Sequence, residues 1–442
     1  MINHLSNKVL PLILFAIPIS ISIGIAVVEV LSFIIIIFFL INIKNLNFKY
    51  DKKIIFLFFL AFYYAILAYF KIDTTPNISD DLRYSSFFYF RYVLISLSIL
   101  FLLDRINLSN KVIVFSLLIF CSLIMLDAWL QFFLGTNLLG YEIIKNRISG
   151  VFGDDLILGS FLVRTLPFFV WLIFFFKIDI KQNYYFLLIF MSSCFITVYL
   201  SSERTSLVLL ILTIILFYLF IKDLRKLLSK SIIICIISII VIYISNLGKY
   251  DPTERIIIKT FNQITNYKFV EENLDKISPE TYEKVLNRKK SNLYNERILI
   301  FSLDHTQHYI LAYKLFTENP YFGLGPKGFR NYCRKVSYNP NVGFCSSHPH
   351  NIIAQLLSET GIVGISLFLI AYFFVVSKLV STKLKEIVYL KKLNYQFYII
   401  SIAIIINLFP LLPSGNYFNN WFCILIFYYV GLYLFTYKKI LN

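Results

Sequence analysis

Four of the chain's five histidines, His305, His308, His348 and His350, fall within or at the end of one polar stretch. The last two form His348-Pro349-His350-Asn351 at the mouth of a long apolar run, with Gly361 and Gly364 following at 11 and 14 residues after His350. An imidazole placed there titrates near neutral pH and can take a proton from a hydroxyl while facing a lipid-embedded substrate. Asn351 beside it is suited to fixing the imidazole tautomer or to binding a sugar. Gly361 and Gly364 are expected on one face of a helix, where they allow close backbone packing. The same letters also read as a plain helix start at Pro349 followed by two packing glycines.

Arginines form the second set. Arg147 opens Arg147-Ile-Ser-Gly150-Val-Phe152, Arg204 follows Ser201-Ser202-Glu203, and Arg164 lies inside an apolar block. Planar guanidinium groups bind phosphate oxygens in pairs and keep their charge, so such residues suit a diphosphate. The plainer readings are a loop cation for Arg147 and a snorkelling Arg204 paired with Glu203. Arg164 sits about 12 Å into its segment, counting ~1.5 Å per residue. A charge at such depth costs roughly 2.5–3.5 kcal/mol, so Arg164 must face the interior or a cavity. Asp127, near Gln131, is its expected partner, either as a structural pair or beside a polar cleft that receives an anion.

The histidines at 305 and 308 invite a metal reading. Phe301, Ala312 and Leu315 share their helical face, however, and no carboxylate completes a ligand set. No metal and no cofactor are expected.

Elements that position these residues follow from composition. Of 442 residues 58% are hydrophobic and 15% charged. Soluble domains run nearer half apolar and a quarter charged. A soluble enzyme, a disulfide scaffold and a disordered tail are excluded. The apolar residues gather in blocks of about twenty, the length that an α-helix needs to cross a bilayer. The chain therefore reads as an all-α polytopic membrane protein with about twelve transmembrane helices, near 8–24, 27–43, 53–70, 85–103, 112–133, 156–176, 184–200, 205–221, 231–246, 351–377, 394–411 and 418–437.

Alternate loops carry twenty and five cations. This asymmetry places the first set, with both termini, in the cytoplasm. The net charge of +17 is thus orientation charge, and no nucleic acid is expected as a partner. Residues 1–246 hold spans one to nine, 247–350 a helical loop on the outer face, and 351–442 spans ten to twelve. Helices are expected in the loop over 252–264, 279–290 and 293–317, the last stopping before Asn319-Pro320.

The His350-Asn351 motif with Gly361 and Gly364, preceded by Asn319-Pro320-Tyr-Phe-Gly323-Leu-Gly325-Pro326 and a long outer loop, resembles the O-antigen ligase and polymerase superfamily. Arg204 matches a family Arg-x3-Leu element, with Val208 standing for the leucine, and Arg147 matches an R-x-x-G-x-F stretch. The resemblance implies an inverting, metal-independent glycosyltransferase in the bacterial inner membrane. Its donor would be a glycan on undecaprenyl diphosphate, a polyprenyl carrier in the lipid bilayer, and its acceptor lipid A core. His350 and Arg204 would be catalytic, with His350 as base or positioning residue. Arg147, Arg164, Arg297 and Asn351 would bind substrate. An O-antigen polymerase or a protein O-oligosaccharyltransferase would share the donor. A flippase for lipid-linked oligosaccharide is the non-enzyme alternative, but no pair of interrupted spans recurs at matching positions in two halves.

Cys333 and Cys345 are the two cysteines in the expected outer loop, where disulfides persist, and a bridge between them would brace the approach to His350. Non-reducing mass spectrometry is expected to recover a peptide joining Cys333 to Cys345; two free thiols would refute the brace.

Overall fold

The computed structural model describes residues 2–42, 52–71, 88–105, 111–258, 260–261, 303–336, 346–389 and 395–441. Their regular structure is helical and includes no strand. In chain order the helices are α1 (Ile2–Ser20), α2 (Ile25–Ile41), α3 (Lys52–Lys71), α4 (Phe90–Arg105), α5 (Val112–Leu134), α6 (Leu158–Phe175), α7 (Tyr184–Leu200), α8 (Arg204–Phe220) and α9 (Arg225–Ile244). After them come α10 (Leu303–Glu318), α11 (Gly328–Val336), α12 (Ile352–Tyr389), α13 (Tyr395–Asn407) and α14 (Asn420–Leu441). Each of the twelve apolar blocks in the sequence carries one helix, α1–α9 and α12–α14.

Among the described residues, α3, α5, α6, α9, α12 and α14 are long and apolar enough to cross a membrane, and α1, α2, α7, α8 and α13 contain shorter apolar stretches. The chain is an all-α, multi-pass membrane protein. Backbone polar groups find no water in hydrocarbon, so segments of this composition satisfy them internally as helices. Burial sorts the bundle. α13 is buried from Phe397 to Asn407, and α6 is buried from Leu158 to Ile173. α9 instead exposes Ile233, Ile236, Ile237 and Ile240, a surface that lipid would cover.

Two elements belong to the polar stretch. α10 ends at Glu318, before Asn319-Pro320, as its sequence predicts, and α11 is separated from it by the Gly/Pro loop. Ala312 and Leu315 of α10 pack with Phe329 and Cys333 of α11 in a small core of their own. The expected helix over 279–290 lies outside the described residues, whereas 252–264 is described at 252–258 and 260–261 and holds a π-helical turn over Glu254–Ile258.

The expectation of Gly361 and Gly364 on one helical face is corrected. α12 is two helices that meet at Gly361, whose φ of 63° and ψ of −166° are not helical. The loop Pro320–Leu324 crosses this break. Ile362 N donates to Pro320 O at 2.8 Å, Val363 N to Tyr321 O at 3.3 Å, and Leu324 N to Ser358 O at 2.9 Å. Tyr63 of α3 donates to Thr360 O at 2.7 Å. The break leaves helical donors and acceptors without intrahelical partners, and the loop supplies replacements. A Cβ on Gly361 would stand 2.3 Å from the Tyr321 carbonyl, and one on Gly323 would stand 2.4 Å from the Glu359 carbonyl carbon. Both glycines are therefore demanded by backbone meeting backbone. Gly364 does pack closely, since its Cβ would meet the Thr360 hydroxyl.

Gly361→Ala is expected to cost at least about 2 kcal/mol, because it adds both a left-handed φ and a backbone clash. Gly415→Ala, where a Cβ meets nothing within 4 Å, should change stability by less than about 0.5 kcal/mol. Thermal unfolding of the two detergent-purified variants reads the difference.

Candidate functional site

The helix ends that carry the chemistry gather at one end of the bundle: the end of α5, the starts of α6, α8 and α12, and the end of α13. An arginine cluster forms on one side. Gln131 of α5 accepts from Ser149 N at 2.9 Å and Gly150 N at 2.8 Å through Oε1, and donates to Tyr141 O and Glu142 O through Nε2. Asp127 accepts from Asn137 Nδ2 at 3.0 Å and Leu138 N at 2.9 Å. These two buried polar side chains shape the loop that presents Arg147.

Arg147 donates to Leu156 O at 2.6 Å and lies 3.4 Å from Glu203. Glu203 also accepts from Gly159 N at 2.9 Å, Ser160 N at 3.1 Å and the Ser206 hydroxyl at 2.8 Å. It thereby caps the N-terminus of α6, where a carboxylate is favoured. Burial pushes the Glu203 carboxyl above its ordinary range, opposed by Arg147 and by these hydrogen bonds. Arg204 is the next residue and opens α8. Glu203 forms an ion pair with Arg147, the arginine of the preceding loop.

A third cation joins them. Arg255 lies in a π-helical turn, Glu254–Ile258, beyond α9. Burial pulls its guanidinium below the ordinary value, and Arg147 and Arg204 pull it further. Tyr250, on the same connection, donates to Leu200 O at the end of α7. Glu203 acts on both Arg147 and Arg255, and Arg147 and Arg204 crowd Arg255, a gathering of positive charge that suits an anion.

Arg164 is buried behind this cluster. Its Nε donates to the Ser160 hydroxyl at 3.0 Å and its Nη1 to Asn407 O at 2.7 Å, with the guanidinium 4.8 Å from the Phe422 ring centre. The expectation of Asp127 as its partner is corrected. Asp127 is committed to Asn137 and Leu138, and a main-chain carbonyl at the end of α13 holds Arg164 instead. Arg164 connects to Glu203 through Ser160.

Histidines form the other side. His350 stands at the start of α12 with φ of 57°, a left-handed conformation that costs a residue with Cβ about 1 kcal/mol or more. Its Nε2 shares a hydrogen bond of 3.0 Å with the Ser346 hydroxyl. Ring centres of His348, His308 and His305 lie 4.1, 5.3 and 5.6 Å from that of His350. His348 is buried, its Nδ1 2.9 Å from the Ser347 hydroxyl and its Nε2 3.2 Å from Ser414 O. Burial, then the neighbouring His350, push His348 down to about 3. A neutral imidazole therefore flanks His350.

Asn351 faces away from the imidazole. Its Nδ2 donates to Pro410 O at 2.9 Å and Leu412 O at 3.2 Å, and its Oδ1 accepts from Ala354 N at 3.1 Å as the cap of α12. Ser414 N closes the arrangement by donating to His350 O at 2.8 Å. The end of α13 and the loop after it thus touch both sides: Asn407 holds Arg164, and Pro410, Leu412 and Ser414 hold Asn351, His350 and His348.

Residues 186–369 match the model of the O-antigen ligase family. This segment, about two fifths of the chain, is similar to that family. No curated protein matches the chain. The segment runs from α7 past the break in α12, and so includes Glu203, Arg204, Arg255 and the four histidines, while Arg147 and Arg164 are contributed from upstream. The family is one of O-antigen ligase-like and polymerase-like membrane glycosyltransferases.

Within the matched segment Arg204, Arg255 and, from outside it, Arg147 come together, and His350 gathers the other histidines. Arg297 and Cys345 lie outside the described residues. Cys333 is disulfide-bonded, whereas Cys121, Cys194, Cys235 and Cys423 are free. Sequence reasoning passed over Arg255, because its surroundings read as an ordinary amphipathic helix. It also passed over Ser346 and the loop after α13, which have no chemical signature of their own.

His348 gives a pH test. Its folded value lies below its ordinary 6.5, so as pH falls the unfolded chain binds the proton first and folding loses stability from about pH 6.5 downward. His348→Asn is expected to flatten the decline of Tm between pH 7 and 4.5; an unchanged slope would show that His348 does not contribute to it.

Proposed function

We propose that the chain is an O-antigen ligase-type inverting glycosyltransferase. It moves a finished glycan from undecaprenyl diphosphate to lipid A core on the periplasmic face of the inner membrane, with both of its termini in the cytoplasm. The observation that carries this reading is the pairing of two clusters through one loop: guanidiniums on one side and an imidazole on the other, both at the end of the bundle where the polar stretch lies.

The chemistry asks for little else. His350 takes the proton of the acceptor hydroxyl, and the oxygen attacks the anomeric carbon from the face opposite the carrier lipid. The bond from that carbon to the diphosphate oxygen breaks, and its electron pair leaves with the polyprenyl diphosphate. A diphosphate departs without a general acid, so the site must chiefly stabilise negative charge that is present in the donor and grows at the leaving oxygen. Arg204 is placed against that oxygen, with Arg147, Arg255 and Arg297 on the remaining phosphate oxygens. Arg164 adds charge from behind, through Ser160. The left-handed backbone of His350 and its Ser346 bond fix the direction of the ring. Asn351 contributes by holding the loop after α13 against the helix start, and Gly361 and Gly364 by letting the Gly/Pro loop and Thr360 approach. The Cys333–Cys345 brace would steady the segment before Ser346.

A deletion strain tests this directly. It is expected to carry bare lipid A core while polymer accumulates on the carrier lipid. Core capped by a single repeat would assign polymerase activity instead, and intact lipopolysaccharide with lost protein glycosylation would assign protein transfer. The wild-type gene should restore ligation. His350→Ala should fail although the protein inserts normally, and Arg204→Lys should retain less than about a tenth of the activity, since an ammonium cannot bind phosphate bidentately. Near-normal ligation by His350→Ala would sink the general-base assignment.

A further inference from the structure

A second group of cations lies away from Arg147, Arg204 and Arg255, between α3, α4, α11 and α14. Lys327, Arg330 and Arg334 come from α11 and the residue before it, and Arg91 from the start of α4. With the rings of Tyr89 and Phe418 they line a cavity on the order of 250 Å³. Arg330 and Arg334 are four residues apart and so share one face of α11.

Its construction is specific. Arg91 is anchored by Glu29 at 2.8 Å and by the Tyr92 hydroxyl at 3.0 Å, and Tyr92 in turn donates to Asn420 at 3.2 Å. Arg330 keeps a buried Nε with no hydrogen-bond partner among the described residues. Lys327 has a left-handed φ of 66°, and burial, then Arg330, lower its ammonium below the ordinary value. Among the described residues no carboxylate lines the cavity; Glu29 pairs with Arg91 and the buried Glu359 acts on Lys327 and Arg330 from behind it, so two carboxylates face four cations. Partly buried cations held together with less counter-charge than their own are costly unless an anion joins them.

The cavity is built into the same framework as the histidines. Phe329 N donates to Glu359 at 3.1 Å, Gln355 donates to both Glu359 at 3.0 Å and Asn416 at 2.8 Å, and Phe418 N donates to Asn416 at 2.9 Å. Asn416 is two residues beyond Ser414, which holds His350 and His348. One loop thus forms a wall of the cavity and a support of the histidine cluster.

We propose that this cavity is a second anion subsite, holding a negatively charged sugar (a uronate or a sugar phosphate) of one of the two glycans. Guanidiniums satisfy carboxylate or phosphate oxygens in pairs, and flat aromatic walls offer apolar area to a sugar ring. A diphosphate bound at Arg204 would leave this subsite to a sugar remote from the reacting carbon. The choice of a glycan as ligand rests on the transfer reaction proposed above.

Saturation-transfer NMR on the full chain in phosphatidylcholine nanodiscs tests it, with glucuronate, glucose 6-phosphate and glucose as probes. Both acidic sugars should bind and compete, and glucose should not bind. Arg330→Gln with Arg334→Gln should weaken binding about tenfold or more, the loss of one or two charge-assisted hydrogen bonds. His350→Ala should leave sugar binding unchanged. Equal binding of glucose, or undiminished binding by the double variant, overturns the subsite. Loss of sugar binding when phosphatidylglycerol is added would assign the cavity to a lipid headgroup and overturn the sugar assignment. In the transfer reaction, the substrate whose KM the double variant raises, donor or acceptor, is the one bearing the acidic sugar; a KM raised for neither overturns the proposal. If the wild-type chain transfers no glycan while the acidic sugars bind as expected, the proposed reaction fails and the subsite stands.

Discussion

Everything at the chemical end of the bundle depends on the break in α12, where Pro320–Leu324 lies across Gly361 and exchanges main-chain hydrogen bonds with both helix halves. A helix interrupted among apolar neighbours exposes donors and acceptors that cost several kcal/mol each if left dry. The crossing loop satisfies them, and in doing so it docks α10 and α11 onto the bundle. His305 and His308 reach His350 only because α10 is held in that place, and Lys327 and Arg330 reach Arg91 only because α11 is. The same contact therefore settles two sites. It also gives the Gly/Pro loop a physical purpose: Gly323 and Gly361 are where two backbones meet with no room for a Cβ.

Arg147 is fixed by a carboxylate that also caps a helix, Arg164 by neutral groups, and Arg91 by its own ion pair with Glu29. Glu203 binds Arg147, caps α6 and acts on Arg255, so one negative group helps to organise two positive ones. Arg164 is held by a carbonyl, a hydroxyl and an aromatic face. Such an arrangement keeps the field positive while still satisfying the donors, which is what a site for an anionic lipid carrier requires. Among the histidines the logic runs the other way. A buried, neutral His348 beside His350 avoids placing a like charge next to a group that must accept a proton.

Much of this was legible from residue order alone. Twelve apolar blocks of span length determined the all-α membrane class, since no other structure hides that much backbone in lipid. The stop at Asn319-Pro320 determined the end of α10. His350 and Arg204 stood out because an imidazole and a guanidinium at the mouths of apolar runs have few structural uses. Tertiary structure alone decided who meets whom. Asp127 and Arg164 lie at similar depths on their helices, yet Asp127 turns to its own following loop and Arg164 to the end of α13, more than two hundred positions along the chain. Gly361 matched a helical spacing, yet it forms the break, because a distant loop offers hydrogen bonds that the helix would otherwise make to itself. Arg255 carried no local mark and joins Arg147 and Arg204 only through the packing of α7, α8 and α9. Spacing along a chain fixes what a helix face can present; which partner fills the space in front of it is a property of the folded bundle.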